Sequence, residues 1–373
     1  MSFTAVLPSS SSLDFRPFAR RVRRVAGAVL AALAFIALVP ARAEAAPQCD
    51  RITFTVALDG SSPANQDLVG WLCGHGHQQH RTLQVLLHGA SYNHTYWDWP
   101  QDPAQYSYVR YATAAGFSTL NLDRVGAGIS DHPLSDLLTT TASAFTIHQV
   151  IQAMRAGAHT DDGRPVQFDR IILVGHSLGS LITWLEAETY GDVDGVIVSG
   201  ISHDSPVAPG NPDVFAALYP ATSDPLFASS GMDPGYLTTL PGSRAGIFYY
   251  LPNSDPSVIA FDEATKDVLP LATTSDFFNG LPLTPTIHVP VLGVVGNFDV
   301  LACTGASCSS SGSFADEASF YSPDACFTPV VIPNAGHDLN LHRNAPLWFT
   351  IAQTWAAQRV GVRSNRPAPL PCP

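Results

Sequence analysis

The chain has 373 residues, of which 46% are hydrophobic and only 13% charged. This composition supports a sizeable apolar core and excludes a globally disordered protein. The formal net charge is −12, and removing residues 1–43, which hold six arginines and one aspartate, leaves a charge of −17. A surface this acidic repels phosphate backbones, so we expect no nucleic-acid partner.

Residues 1–43 have the pattern of a secretory signal peptide. Four arginines within 20–24 precede an apolar run at 25–39, and small residues place the cleavage site at 43–46. Fifteen apolar residues are short for a helix that spans a bilayer, although an uncleaved membrane anchor is the alternative. We therefore expect a secreted, extracellular protein without stable membrane insertion after cleavage.

Six cysteines remain after export, and an even count in an exported protein predicts disulfides. We expect Cys49 to pair with Cys73 at the ends of the first hairpin. The remaining four are expected to pair within the C-terminal third: Cys303, Cys308, Cys326 and Cys372. A metal site is the alternative, but C-x4-C without a second pair or a nearby histidine cluster is weak zinc spacing. We predict no metal.

Strands and helices alternate along most of the chain. The predicted strands are 51–57, 67–72, 82–87, 118–122, 170–174, 193–198, 289–295 and 328–332, and the predicted helices are 106–115, 146–156, 181–189 and 346–360. The first two strands form a hairpin around a turn-rich segment. The later alternation predicts an α/β fold with a mostly parallel central sheet and helices on both faces.

The alternation stops at Gly200, and the following segment is dense in proline and phenylalanine. We therefore predict an α/β core at 47–200 and 287–360, with a cap or lid insertion at 201–286. An irregular loop region packed against the sheet is the alternative for this insertion. Residues 361–373 form a proline-rich tail.

The most informative motif is the pentapeptide Gly175-His176-Ser177-Leu178-Gly179. It follows an apolar strand and precedes a predicted helix, which is the context of a nucleophile elbow. The flanking glycines allow a tight turn, and the helix N-terminus favours negative charge on an acyl oxygen. The motif predicts that Ser177 is a nucleophile; an idle serine in a glycine-rich turn is the alternative.

A serine hydroxyl is a poor nucleophile unless a neighbouring base, itself held in one tautomer, takes its proton. His337 lies in the loop after the last predicted strand, and we predict that it is this base. Asp299 follows the preceding strand and is the predicted orienting carboxylate, with Asp204 as the alternative. Asp338 is too close to His337 in sequence to orient it easily, so we expect a local turn contact.

His88-Gly89-Ala90 ends the third predicted strand, where backbone amides can face a reacting carbonyl oxygen. We propose the amides of Ala90 and Leu178 as the oxyanion hole. The aromatic stretch at 92–99 either lines a substrate pocket or packs beneath the cap.

With the turn at 123–130, whose sequence is D-x-x-G-x-G-x-S, these motifs resemble the α/β-hydrolase superfamily of the esterase and lipase type over residues 82–358. The resemblance implies an α/β-hydrolase fold with a cap between the sixth and seventh strands. It implies that Ser177 is the nucleophile, His337 the base and Asp299 the acid, while Asp123 shapes the site entrance. No cofactor is implied.

We therefore expect a secreted serine hydrolase that cleaves carboxylic esters through an acyl-enzyme. Nearby aromatics and the apolar cap favour a small-molecule ester with a hydrophobic acyl chain or an aryl group over a charged peptide. An acyltransferase, or another chemistry of the same scaffold, is one alternative. A non-catalytic binding protein that retains the fold is the other.

Overall fold

The computed structural model describes residues 46–75, 80–204, 215–273, 284–304 and 307–365. The predicted signal peptide, parts of the predicted cap and most of the proline-rich tail, including Cys372, lie outside these ranges. Among the described residues, no helix combines the length and the apolar character needed to cross a bilayer.

A central sheet of eight strands organises the molecule. The strands are β1 Gln48–Val56, β2 Gln66–Gly74, β3 Leu83–Leu87, β4 Ser118–Asp123, β5 Ile171–His176, β6 Gly195–Ser199, β7 Val291–Gly296 and β8 Thr328–Ile332. Their order is β1-β2-β4-β3-β5-β6-β7-β8. β2 runs antiparallel to both β1 and β4, and the other neighbours are parallel. The predicted fold class is confirmed, and the predicted strand ends differ by three residues or fewer.

Helices cover both faces of this sheet. The described α-helices are α1 Pro103–Tyr106, α2 Tyr108–Ala114, α3 Thr140–Ala156, α4 Leu178–Tyr190, α5 Arg244–Phe248, α6 Pro256–Ala264 and α7 Ala345–Arg359. Along β5, Ile171 and Leu173 join the apolar core shared with α3 and α4, whereas Ile172 and Val174 join the core shared with α2 and α7. Because successive strand residues point to opposite faces, an unbroken apolar run fills both cores.

All four predicted helices have different bounds in the structure, and two of them differ most. The helix predicted at 106–115 is divided at Ser107, whose backbone is extended and whose hydroxyl accepts the Arg110 N–H at 3.1 Å. The helix predicted at 146–156 begins at Thr140, where the Thr139 hydroxyl accepts the Ala142 N–H at 3.0 Å. Both differences follow from side-chain caps that satisfy the first helical N–H groups.

The disulfides follow the predicted grouping where they are described. Cys49 and Cys73 are register partners in the first hairpin and form a disulfide. Cys303 is bonded to Cys308, and Cys326 is also disulfide-bonded.

The segment between β6 and β7 contains α5, α6 and a small antiparallel sheet formed by Leu218–Pro220, Tyr236–Thr239 and Leu269–Pro270. Its backbone bonds directly to the loop after β8. The Phe248 carbonyl accepts the Asp338 N–H at 3.0 Å, and the Tyr250 N–H donates to His342 Nε2 at 2.9 Å. These two bonds hold the Phe248–Tyr250 segment against the loop after β8.

Candidate active site

Ser177 lies on a strained turn between β5 and α4. Its φ of +53° and ψ of −119° place a non-glycine residue in a region that L-residues rarely adopt. Its N–H donates to the Ser199 carbonyl on β6 at 2.8 Å, which holds the turn against the sheet. The side chain is half-buried, so the hydroxyl is presented at the edge of the sheet rather than enclosed in the core.

The two glycines of the motif are required by close backbone packing. A Cβ atom on Gly175 would lie 2.5 Å from the Gly179 carbonyl oxygen. A Cβ atom on Gly179 would meet the Leu87 carbonyl oxygen and lie 2.7 Å from that of His88. Helix α4 therefore approaches β3 and β5 as closely as a backbone without side chains allows.

The loops after β7 and β8 bring Asp299 and His337 together. His337 Nδ1 lies 3.0 and 3.1 Å from the two carboxylate oxygens of Asp299. Asp299 Oδ1 also accepts the N–H groups of Leu301 and Ala302, at 2.9 and 3.0 Å. A carboxylate fixed in this way favours the tautomer with the proton on Nδ1 and leaves Nε2 available to accept a proton.

The electrostatic surroundings of His337 favour a base that holds its proton well. Burial is the largest influence and lowers the pKa of His337, but the charge and hydrogen bond of Asp299, together with the charge of Asp338, outweigh it. The net result is a raised pKa. A base with a raised pKa gains driving force for proton abstraction but must be deprotonated before it can act.

The imidazole of His337 lies beside the serine turn. Its ring centroid is 4.8 Å from that of His176, the residue directly before Ser177. A Cβ atom on Gly200 would lie 2.9 Å from His176 Cε1 and 3.1 Å from His337 Cε1. The ends of β5, β6 and β8 thus converge on one small volume.

The loop after β3 reaches the same place. A Cβ atom on Gly89 would lie 3.2 Å from Ser177 Cβ. The Arg124 guanidinium donates to the Gly89 carbonyl at 3.2 Å and so helps to fix the loop. Within the described part of the chain, the amides of Ala90 and Leu178 have no hydrogen-bond partner. Both N–H groups are therefore available to a ligand atom.

Two other polar residues of the sequence analysis have structural contacts instead. Asp204, the alternative carboxylate, accepts a hydrogen bond from the Thr304 hydroxyl, whereas Asp299 contacts His337. His88 is fully buried between the Gly89 carbonyl and the Arg124 N–H. Burial, with the nearby charge of Arg124, lowers the pKa of His88 well below its ordinary value, so this imidazole is neutral.

A buried polar network that the sequence analysis missed lies beneath the turn. Asp338 makes its expected local turn through its backbone, but its fully buried side chain lies 3.2 Å from His176 Nε2 and accepts a short hydrogen bond from the Tyr92 hydroxyl. Burial, reinforced by the charge of Asp262, raises the pKa of Asp338 to about 8. The network supports the residue that precedes Ser177.

The insertion supplies the other half of this network. Arg244 on α5 and Asp262 on α6 form a two-pronged ion pair, with Nε–Oδ2 and Nη2–Oδ1 distances of 2.9 and 2.8 Å. The Tyr249 hydroxyl donates to Asp262 at 2.9 Å, and the Arg244 guanidinium lies 4.2 Å above the Tyr92 ring. No local motif marks these residues; their burial pattern within an irregular, proline-rich segment becomes visible only in three dimensions.

The aromatic stretch at 92–99 packs inside the protein. Tyr96 and Trp97 are fully buried, and Trp99 is 1% exposed. Tyr96 stacks on His176 with ring centroids 4.3 Å apart, and Trp99 contacts Phe261 of α6 edge-on. These side chains support the turn and the insertion, in agreement with the packing alternative.

A serine on a strained turn between a parallel strand and a helix defines the class, because α/β-hydrolases present their nucleophile there. The chain belongs to the alpha/beta hydrolase family, whose model matches residues 84–348. Among curated protein sequences, none matches this chain.

Solved structures similar to this chain are distant in sequence. An esterase from Thermogutta terrifontis is 20% identical, with a TM-score of 0.54 and coverage of 82% of this chain and 97% of that one. A putative aryl esterase from Burkholderia cenocepacia is 16% identical, with a TM-score of 0.55 and coverages of 83% and 99%. A monoacylglycerol lipase from Paleococcus ferrophilus is 17% identical, with a TM-score of 0.53 and coverages of 83% and 98%. At these identities the likeness shows the fold alone.

Proposed function

We propose that this protein is a serine hydrolase that cleaves carboxylic esters through an acyl-enzyme. One observation carries the proposal: the hydrogen-bonded pair of Asp299 and His337 lies beside the strained turn that presents Ser177. The three side chains come from the ends of three different strands. Their roles as nucleophile, base and orienting acid follow from their chemistry.

In this mechanism Ser177 Oγ attacks the ester carbonyl carbon while His337 Nε2 takes the hydroxyl proton. The amides of Ala90 and Leu178 donate to the oxyanion that forms, and each such donor contributes about 3 kcal/mol in comparable sites. Collapse of the tetrahedral intermediate breaks the bond to the alcohol oxygen, which receives the proton from His337. Water, activated by His337 in turn, releases the carboxylic acid and restores Ser177.

We further propose a hydrophobic small-molecule ester as substrate and residues 201–286 as a cap over the site. The names of the similar structures, an esterase, an aryl esterase and a monoacylglycerol lipase, agree with ester chemistry without defining the substrate. The acidic surface disfavours nucleic acid as a partner. Secretion, with removal of residues 1–43 by cleavage within 43–46, is supported by the disulfides, which persist in oxidising compartments.

The decisive experiment is labelling with a fluorophosphonate, which reacts with an activated serine. We expect one label per chain in the wild type and in Ser257→Ala, an exposed serine of the insertion, and none in Ser177→Ala. Hydrolysis of p-nitrophenyl esters of graded chain length then defines the acyl preference. Equal labelling of Ser177→Ala, or no labelling of the wild type, would exclude the proposed mechanism. Ester turnover no higher than the Ser177→Ala background across the whole series would favour a binding protein.

A further inference from the structure

Three metal-ligating side chains meet at the end of α4 that lies away from Ser177. His148 is on α3, Glu186 is on α4, and Asp192 follows Gly191, the residue that ends α4. One ligand atom from each lies within 4.8 Å of the other two. His148 Nδ1 is 2.8 Å from Asp192 Oδ2 and 3.9 Å from Glu186 Oε1. Glu186 stands nine residues after Ser177, about 13 Å along the helix.

The Glu186 carboxyl group lacks the partners that such a group requires. Its side chain is completely buried, and neither of its oxygens has a hydrogen-bond partner. Asp192 Oδ1, which belongs to the same cluster, is also without one. Buried carboxylates in folded proteins are paired, hydrogen-bonded or bound to a metal, because removing the charge from water is otherwise strongly unfavourable.

Apart from His148, the nearest basic side chain is Arg155, and its guanidinium contacts other groups. Arg155 donates to the backbone carbonyl of Asp192 and forms its ion pair with Asp194. Gln152 donates to Asp192 Oδ2 at 2.6 Å, the oxygen that also faces His148. The nearby guanidinium therefore forms no hydrogen bond or ion pair with the two Glu186 oxygens or with Asp192 Oδ1.

We propose that His148, Glu186 and Asp192 form a structural site for a divalent cation of the zinc type, which ties α3 to the C-terminal end of α4. Imidazole nitrogen and carboxylate oxygen are both ligand types that Zn²⁺ accepts, at roughly 2.0–2.2 Å, and water would complete the tetrahedron. His148 in the tautomer with its proton on Nε2 offers the Nδ1 lone pair to the ion.

The local structure favours such an ion in three ways. Tyr190 stacks on the His148 ring, with centroids 3.9 Å apart, and limits its rotation. The side chains of His148 and Asp192 are 24% and 13% exposed, so an ion can reach the buried Glu186 from solvent. The C-terminal end of a helix carries partial negative charge and attracts cations.

The test uses the purified protein, stripped of metal by chelation and titrated with Zn²⁺ alone. We expect one saturable Zn²⁺ site per chain and a rise in Tm of about 5 °C at a hundredfold excess over Kd. Glu186→Gln fills the same volume without charge and should abolish both responses, as should His148→Gln. His288→Gln, which removes an exposed histidine elsewhere, should retain both.

Two results would overturn the proposal. One is a wild-type protein with no saturable Zn²⁺ binding and an unchanged Tm, which would mean that a proton shared by Glu186 and Asp192 neutralises the cluster. The other is a Zn²⁺ response in Glu186→Gln and His148→Gln as large as that of the wild type, which would mean adventitious binding. If Glu186→Gln fails to fold, His148→Gln decides the question. Neither readout depends on ester hydrolysis, so the outcome is independent of the proposed function.

Discussion

At the scale of single residues, the Asp299–His337 pair determines what Ser177 can do. The carboxylate contacts Nδ1 with both oxygens and is itself held by two backbone N–H groups. Each partner is therefore restricted to one orientation. In the proposed mechanism, an aspartate held in this way would stabilise the imidazolium that forms during attack.

Replacement of Asp299 by asparagine should lower kcat by on the order of 10³–10⁴-fold, because the amide favours the wrong imidazole tautomer. In the wild type the neutral imidazole is the active form, and the pKa of His337 is raised. We therefore expect kcat/KM to rise with pH, and the apparent pKa of this ascending limb to lie above the ordinary histidine pKa of about 6.5. In Asp299→Asn this limb should move to lower pH.

Steady-state kinetics over pH 5–9 on the most reactive p-nitrophenyl ester measure both effects. Asp204→Asn is the matched control, because Asp204 is the carboxylate that sequence alone left as an alternative. It should behave like the wild type. A pH limb that is the same in Asp299→Asn and the wild type, with activity within tenfold, would assign the orienting role to another group.

At the scale of elements, the approach of α4 to β3 fixes where the serine turn lies. Gly179 is the contact point, and its missing side chain leaves the backbone of α4 against the carbonyls of Leu87 and His88. Sequence predicts this element pair well, because G-x-S-x-G between an apolar strand and a helix has one common structural solution. Sequence predicts the first residues of α2 and α3 less well. Several nearby side chains could serve as the N-cap, and sequence alone does not show that Ser107 and Thr139 do so.

Gly179→Ala should therefore unfold the protein or lower its free energy of unfolding by several kcal/mol. The added methyl group would clash with backbone carbonyls, which cannot move aside as a flexible side chain can. Gly60→Ala is the matched control. A Cβ atom there would meet nothing within 4 Å, so we expect a change of about 0.5 kcal/mol or less. Urea unfolding followed by circular dichroism compares the two. Equal stability of both variants would contradict the close packing of α4 on β3.

At the scale of the whole molecule, the insertion and the core share one buried network. It runs from His176 through Asp338 and Tyr92 to the Arg244–Asp262 pair. The residues that contact each other are separated by up to 246 positions in the chain. Sequence analysis finds Asp299 and His337 because strand ends mark them. It cannot find a contact between Tyr92, Asp262 and Asp338, because nothing local records it.

Arg244→Met should lower the free energy of unfolding by about 3–5 kcal/mol, because it leaves the buried Asp262 carboxylate without its cation. Arg51→Met breaks an ion pair whose side chains are 54% and 38% exposed, and should change stability by about 1 kcal/mol or less. Urea titrations of both variants provide the measurement. If Arg244→Met were no less stable than Arg51→Met, the Arg244–Asp262 pair would not be a stabilising part of the network shared by the insertion and the core.

The backbone bonds between the insertion and the loop after β8 also restrict how a substrate arrives. A Cβ atom on Gly336 would lie 2.8 Å from both the Phe248 carbonyl oxygen and the Tyr250 backbone nitrogen. The two backbone segments are therefore in direct contact. Moving the Phe248–Tyr250 segment away from this loop would break its hydrogen bonds to Asp338 and His342 and expose the buried Arg244–Asp262 ion pair. If the protein acts as proposed, the Phe248–Tyr250 segment would stay in place during the reaction, and the substrate would have to reach Ser177 without displacing it.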